Sequence, residues 1–387
     1  MRLFLVAGEP SGDKLGAALM AGIKALVPGV AFAGVGGPLM QAEGLESLFP
    51  MEELSVMGLA EVLPKYRHLV RRMQQTAAAC VAADPAALIT IDSPDFCLRV
   101  ARTARAARPG LRTIHYVAPS VWAWRAGRAA KMAPNVDHVL ALLPFEPPYM
   151  EAAGMTCDFV GHPVVAEPVA TEAEAAAFRA DAGIAPDQPL ILTLPGSRRG
   201  EVGRLGPRFG AALDRVLAAV PQARVVVPTV RGVADQVRAL VADWPGAPVV
   251  VDAPSARRAA FRAADVALAA SGTVSLELAA AGVPMVIAYD VAWLSRVIMQ
   301  RMVKLDTVTL VNLVTDTRTV PEFIGARCRP DLIAPAVIEM LRPGPKRAAQ
   351  AAAMADCMIR LGRGGEPPGL RAARSVLAHL PEGARHD

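Results

Sequence analysis

Short continuous apolar runs recur along almost the whole chain, each followed by a longer stretch in which Ala, Leu and Arg repeat at helical spacing. Residues 3–6, 31–35, 88–91, 113–117 and 138–142 read as strands in the first half. Residues 190–194, 224–227, 248–251, 266–269 and 285–288 do so in the second. Helical pattern follows many of them, as at 13–26, 94–107 and 208–219. Strands that are apolar on both faces, alternating with helices, predict parallel sheets covered on both sides. The rhythm lapses between Gly161 and Pro189, where Gly161-His162-Pro163 and Glu167-Pro168 precede a polar helical piece at 171–182. A second break falls at Arg342-Pro343-Gly344-Pro345, ahead of an Ala/Arg-rich helical tail. The expected organisation is a first α/β domain over 1–165, a second over 166–343, and C-terminal helices over 344–387. Two doubly wound, Rossmann-like domains place ligands at their C-terminal strand edges, in a cleft between domains.

Composition narrows the classes. A 387-residue chain that is 53% hydrophobic and 20% charged can fill two cores, which excludes a disordered chain. Only 5% of residues are aromatic, so the cores are aliphatic. The net charge of +5 suits anionic ligands or an anionic lipid surface, but arginines scattered without an aromatic platform argue against nucleic acid. Five cysteines without a CxxC pair read as reduced thiols of a cytoplasmic protein, and six dispersed histidines suggest no metal site. The apolar run 3–7 is shorter than a signal-peptide core. The most membrane-like stretch, 266–289, contains Gly272, Glu277, Gly282 and Pro284, and so reads as strand-loop-helix-strand rather than a span.

Several strand-to-helix loops carry candidate chemistry. Gly8-Glu9-Pro10-Ser11-Gly12-Asp13 is neither GxGxxG nor a Walker A loop; it is either a ligand loop or a tight turn capped by Ser11 or Asp13. Asp92 ends an apolar strand, where a carboxylate can take a proton from a sugar hydroxyl. Ser93-Pro94 resembles a helix cap and first position, so Asp95 is explained by the helix dipole. The segment from His115 to Arg125 holds Ser120, Trp122, Trp124 and Arg125. Paired indoles beside cations suit a sugar or a phosphate, or else core packing. In the second half, Pro195-Gly196-Ser197-Arg198-Arg199 opens a helix as a diphosphate cradle would. Ser271-Gly272-Thr273 precedes Glu277, which is placed to accept from ribose hydroxyls. Between residues 52 and 72, Val56, Met57, Leu59 and Leu63 adjoin Lys65, Arg67, His68, Arg71 and Arg72. That is either a lipid-facing patch or an amphipathic helix burying one side.

These loops, with Leu143-Pro144-Phe145-Glu146 and Val160-Gly161-His162-Pro163, resemble in order the lipid-A-disaccharide synthase family, from residue 1 to about 340. The 117–125 segment, with Pro-Ser-Val-Trp-Ala-Trp-Arg, is the most specific part. The resemblance implies a GT-B, inverting glycosyltransferase that needs no cofactor, and the chain has no DxD pair. The implied substrates are UDP-2,3-diacylglucosamine and 2,3-diacylglucosamine 1-phosphate, joined β-1,6 with release of UDP. By the family pattern Asp92 is the general base and Glu9 lines the acceptor side, with Ser11, Ser120, Trp124 and Arg125. Ser197, Arg198, Ser271, Gly272, Thr273 and Glu277 hold UDP. Asn312 matches a further functional position, although Val311 precedes it where the family usually has Pro. Acylated substrates give Val56, Met57, Leu59 and Leu63 a reason to face lipid. The resemblance therefore implies a peripheral protein on the cytoplasmic face of the inner membrane. It also implies homodimers, and last helices that cross back onto the first domain. Two relatives in fold are alternatives. A UDP-N-acetylglucosamine 2-epimerase needs neither the Trp-Ala-Trp segment nor a lipid patch, and a murein-type transferase has a glycine-rich first loop that is absent here.

Overall fold

The computed structural model describes residues 1–54, 59–122, 127–290 and 306–382, with side chains throughout those ranges except 59–65. The chain forms two compact units, one of Met1–Ala166 with Gly364–Asp387, the other of Glu167–Arg363.

In the first unit seven parallel strands lie in the order β3-β2-β1-β4-β5-β6-β7. They are β1 (Arg2–Ala7), β2 (Ala31–Val35), β3 (Glu46–Ser47), β4 (Ala87–Ile91), β5 (Thr113–Tyr116), β6 (His138–Ala141) and β7 (Thr156–Phe159). The helices are α1 (Pro10–Leu26), α2 (Pro38–Ala42), α3 (Leu59–Ala83), α4 (Pro94–Ala107), α5 (Gly127–Met132) and α6 (Pro147–Glu151). Alternation within β1 shows why the strands read as unbroken apolar runs. Leu3, Leu5 and Ala7 join Leu19 and Ile23 of α1 on one face. Phe4 and Val6 join Cys80 of α3 with Cys97 and Val100 of α4 on the other. All five cysteines are buried free thiols.

The second unit holds six parallel strands in the order β10-β9-β8-β11-β12-β13. They are β8 (Leu190–Leu194), β9 (Arg224–Pro228), β10 (Val249–Val251), β11 (Val266–Ala269), β12 (Met285–Tyr289) and β13 (Glu322–Ile324). Its described helices are α7 (Glu172–Asp181), α8 (Arg199–Ala219), α9 (Ala234–Val241), α10 (Pro254–Ala263), α11 (Val274–Ala281), α12 (Leu310–Thr315), α13 (Pro330–Leu341) and α14 (Pro345–Arg360). Helix α8 starts nine residues before the expected 208 and runs through Pro207. Its buried stripe of Val202, Leu205, Phe209 and Leu213 packs with Ile333 and Val337 of α13, and that burial outweighs the missing N–H.

The tail divides differently from the expectation for 344–387. Helix α14 stays with the second unit because Gln350, fully buried, accepts from the Met285 N–H at 2.6 Å and donates to the Met285 and Thr319 carbonyls at 3.0 and 3.1 Å. Only the last helix, α15 (Pro368–Ala378), returns to the first unit. There Gly22 and Gly369 let it lie against α1: a Cβ on Gly22 would stand 2.7 Å from the Gly369 carbonyl oxygen. Arg371 donates to the Phe159 carbonyl at 2.8 Å, and the Ser375 hydroxyl donates to Asp158 at 2.6 Å.

Candidate active site

Strands β1 and β4 are neighbours in register, with Ala7 opposite Ile91, so the loops after them leave the sheet edge side by side. Ser11 donates to Asp92 Oδ2 at 3.0 Å, and Ser93 donates through its hydroxyl to Glu9 Oε1 at 3.2 Å. Asp92 Oδ1 accepts the Ser93 N–H at 2.9 Å. Asp92 and Ser93 hold φ of +52° and +41°, in the left-handed region, so this junction is strained. Gly8 makes room for it, since a Cβ there would sit 2.9 Å from Ser93 Oγ. The Asp92 side chain is half-buried. A carboxylate held by hydrogen bonds at a strand end is placed to accept a proton from a hydroxyl.

The capping roles read from sequence are replaced. Ser93 occupies the cap position of α4 but makes no side-chain cap bond there, because its hydroxyl is turned to Glu9. Ser11 is engaged with Asp92. Asp13, 3% exposed, caps α2 instead of its own helix, accepting the N–H groups of Gly37, Leu39 and Met40 at 2.9, 3.0 and 2.9 Å.

Strain continues along the same edge. The Asp92 N–H donates to the Tyr116 carbonyl, and the next residue after β5, Val117, has φ +85°. For a β-branched residue that is a genuine outlier. Ser120 follows, exposed. Trp124, Arg125, Val56 and Met57 lie outside the described residues, as do the side chains of Leu59 and Leu63.

In the second unit, β8 and β11 are paired with Leu194 opposite Ala269, which brings the loops 195–198 and 270–273 to one edge. Ser197 and Arg198 are exposed at the start of α8. Glu201, to which sequence reasoning gave no role, sits at their centre. Its carboxylate accepts the Ser197 and Arg198 N–H groups at 3.2 and 3.3 Å, the Arg198 guanidinium at 3.0 Å and the Tyr289 hydroxyl at 3.2 Å. The signal was present as a glutamate three residues into the helix, the capping-box spacing. Gly272 takes φ +149° with nothing within 4 Å of a built Cβ, so Ser271-Gly272-Thr273 opens α11 toward solvent. Glu277 is half-exposed and pairs with Arg257 at 2.6 Å.

Asn312 does not join these groups. It is 1% exposed, and its amide donates to Thr307 and to the Val320 carbonyl while its oxygen accepts the Val320 N–H. With both ends of the amide spent on the chain, it braces the segment before β13. Among the described residues, His138, Asp158 and His379 are close enough to share an ion, but the two imidazoles stack at 3.6 Å and 14°, so their lone pairs do not converge.

Two parallel-sheet, Rossmann-like units in one chain have the architecture of the GT-B class of glycosyltransferases. Solved structures agree on the fold. A UDP-GlcNAc 2-epimerase from Neisseria meningitidis bound to UDP-GlcNAc matches with TM-score 0.61 and 11% identity, covering 98% of this chain and 99% of that one. MurG from Acinetobacter baumannii matches with TM-score 0.57 and 13% identity over 98% and 99%. Sequence comparison is more specific. The family model described as lipid-A-disaccharide synthetase matches residues 3–366. The lipid-A-disaccharide synthases of Ruegeria pomeroyi and Rhodospirillum centenum are 64% and 49% identical, covering 98% and 97% of this chain and 96% and 94% of theirs. The chain belongs to the lipid-A-disaccharide synthase family, and is a glycosyltransferase.

Proposed function

We propose that this enzyme joins UDP-2,3-diacylglucosamine to 2,3-diacylglucosamine 1-phosphate, with Asp92 as the base. The acceptor 6-hydroxyl gives its proton to Asp92 as its oxygen bonds to the donor anomeric carbon. The bond from that carbon to the diphosphate oxygen breaks in the same displacement, so the centre inverts and UDP leaves. Arg198 and the start of α8 carry the charge that develops on the leaving diphosphate. Loop 271–273 and Glu277 hold the rest of UDP, while Glu9, Ser11 and Ser120 face the acceptor. The observation that carries this reading is the strained strand end at Asp92, where Ser11 and Ser93 fix a half-buried carboxylate beside Glu9.

The acylated substrates also argue for work at a lipid surface, as a peripheral protein of the inner membrane. No helix among the described residues is long and apolar enough to cross a membrane. Leu39 and Leu48, 49% and 37% exposed, are further apolar side chains on the surface of the first unit.

Mass spectrometry of the purified enzyme with both acylated glucosamines tests the reaction. The acylated disaccharide 1-phosphate and free UDP are expected. Conversion of UDP-N-acetylglucosamine alone to its epimer, without disaccharide, would replace the reading with the epimerase one. Liposome sedimentation tests the surface: Met57→Glu should lose binding to anionic vesicles, and unchanged binding would remove that part.

A further inference from the structure

Leu143-Pro144-Phe145-Glu146 is a motif the reaction above leaves without a task. Glu146 lies between β6 and α6 and is 4% exposed. One carboxylate oxygen, Oε2, accepts the N–H groups of Leu142 and Leu143 at 3.1 and 2.9 Å. The other, Oε1, accepts the indole N–H of Trp122 at 3.2 Å. Trp122 also meets the ring of Phe145 edge-on, at 5.2 Å and 87°.

A buried carboxylate is a poor choice for stability alone, since an apolar side chain of similar size would avoid the desolvation cost. Burial lifts the Glu146 carboxyl to about 7, against the pull of its three N–H donors. What the carboxylate achieves is a link between two loops of the same sheet edge. The loop after β5 begins at Val117, whose φ of +85° is kept only if the surroundings hold it. It is tied at its near end by the Val117 N–H to the Leu140 carbonyl at 3.0 Å, and five residues on by Trp122 to Glu146. Between those ties lies the exposed Ser120. Asp92 stands next along this edge, its N–H bonded to the Tyr116 carbonyl at the end of β5.

We propose that Glu146 is a positioning residue for the sugar-phosphate acceptor: by fixing the Trp122 indole it sets the course of residues 117–122, and so the place of Ser120 on the loop that leaves the strand next to the one bearing Asp92. The inference rests on the first unit being the acceptor side.

Two conservative variants separate this from a structural role. In Glu146→Gln the amide oxygen can still serve Leu142 and Leu143, which turns the NH2 against the indole N–H and breaks that link alone. Trp122→Phe keeps a ring against Phe145 and removes the donor. Each variant should raise the acceptor KM about tenfold, the worth of one buried hydrogen bond, with kcat and the donor KM within about twofold. The double variant should be no worse than either single one, because both remove the same bond. An unchanged acceptor KM in folded variants, an equal shift in the donor KM, or additive losses would each overturn the proposal. Should Glu146→Gln fail to fold, Trp122→Phe alone decides between these outcomes. Titration of wild-type protein with 2,3-diacylglucosamine 1-phosphate separates the two levels. No binding by wild type overturns the acceptor-side reading and this inference together, whereas wild-type binding that both variants match overturns the inference alone.

Discussion

Ser11 Oγ and Asp92 Oδ2 meet at 3.0 Å although 81 residues separate them in the chain. The contact joins the first turn of α1 to the end of β4, so the carboxylate proposed as base is aimed by a different loop from the one that bears it. Asp92→Ala should lower kcat at least a hundredfold, the usual weight of a general base, while UDP binds as before. Ser11→Ala should lower kcat about tenfold with little change in either KM, because it removes one neutral hydrogen bond from the carboxylate. Steady-state kinetics with calorimetric UDP titration checks both. Loss of UDP affinity in Asp92→Ala would move that residue into the nucleotide pocket.

The carboxylate of Glu201 engages the Arg198 guanidinium and the backbone N–H groups to which the proposed function assigns the diphosphate. Arg198→Ala should weaken UDP binding tenfold or more, as loss of a charge-assisted contact does. Glu201→Gln should act in the opposite direction, tightening UDP several-fold by removing a like charge, most clearly at low salt. Calorimetry at two ionic strengths is the measurement. Weaker binding by Glu201→Gln would mean that the carboxylate is needed to hold Arg198 in place.

Asp13 gives the start of α2 its three bonds from α1. Asp13→Ala is expected to cost about 2 kcal/mol, the upper range for a lost helix cap with buried donors left unpaired. Urea unfolding measures it. A cost below about 0.5 kcal/mol would show that the N–H groups find water instead.

Acid should loosen the first unit before the second. Burial pushes His115, His138 and His162, all in that unit, down to about 4 from an ordinary 6.5. The unfolded chain therefore binds more protons between pH 4 and 6.5, and stability present above 6.5 is lost as pH falls through that window. Glu146, raised to about 7 by burial, works the other way: its folded form takes up a proton below 7 and gains as pH falls toward 4.5. Three imidazoles against one carboxyl leave a net loss. Hydrogen exchange at pH 7.5 and 5 should show protection falling first in β5 and β6. Equal loss in β8 and β11 would refute the assignment to these histidines.

The central strands of both sheets were legible because helices cover both their faces, so apolar residues dominate them and the few polar ones, such as Thr90 and Thr193, are buried among them. The three strands that sequence reading did not find, β3, β7 and β13, have two to four residues and carry Glu46, Ser47, Thr156, Asp158 and Glu322. They are edge strands, for which one-sided burial leaves no unbroken apolar run. Asp92 stood out by position, because nothing structural explained a carboxylate there. Glu146 and Glu201 did not, since their significance lies in partners that only folding supplies: an indole from the neighbouring loop and a tyrosine from β12. Asn312 is the reverse case, a motif position whose amide is spent on hydrogen bonds to Thr307 and Val320.

The seat of α15 against Gly22 of α1 bears on biosynthesis. A ribosome releases residues 1–166 well before it makes 368–378, and the whole second unit is translated in between. Through that interval the α1 surface that Ala372, Ala373 and Val376 will cover stays wet. The amino-terminal half of the enzyme is thus translated first and sealed last, with an apolar helix face left open to water in between.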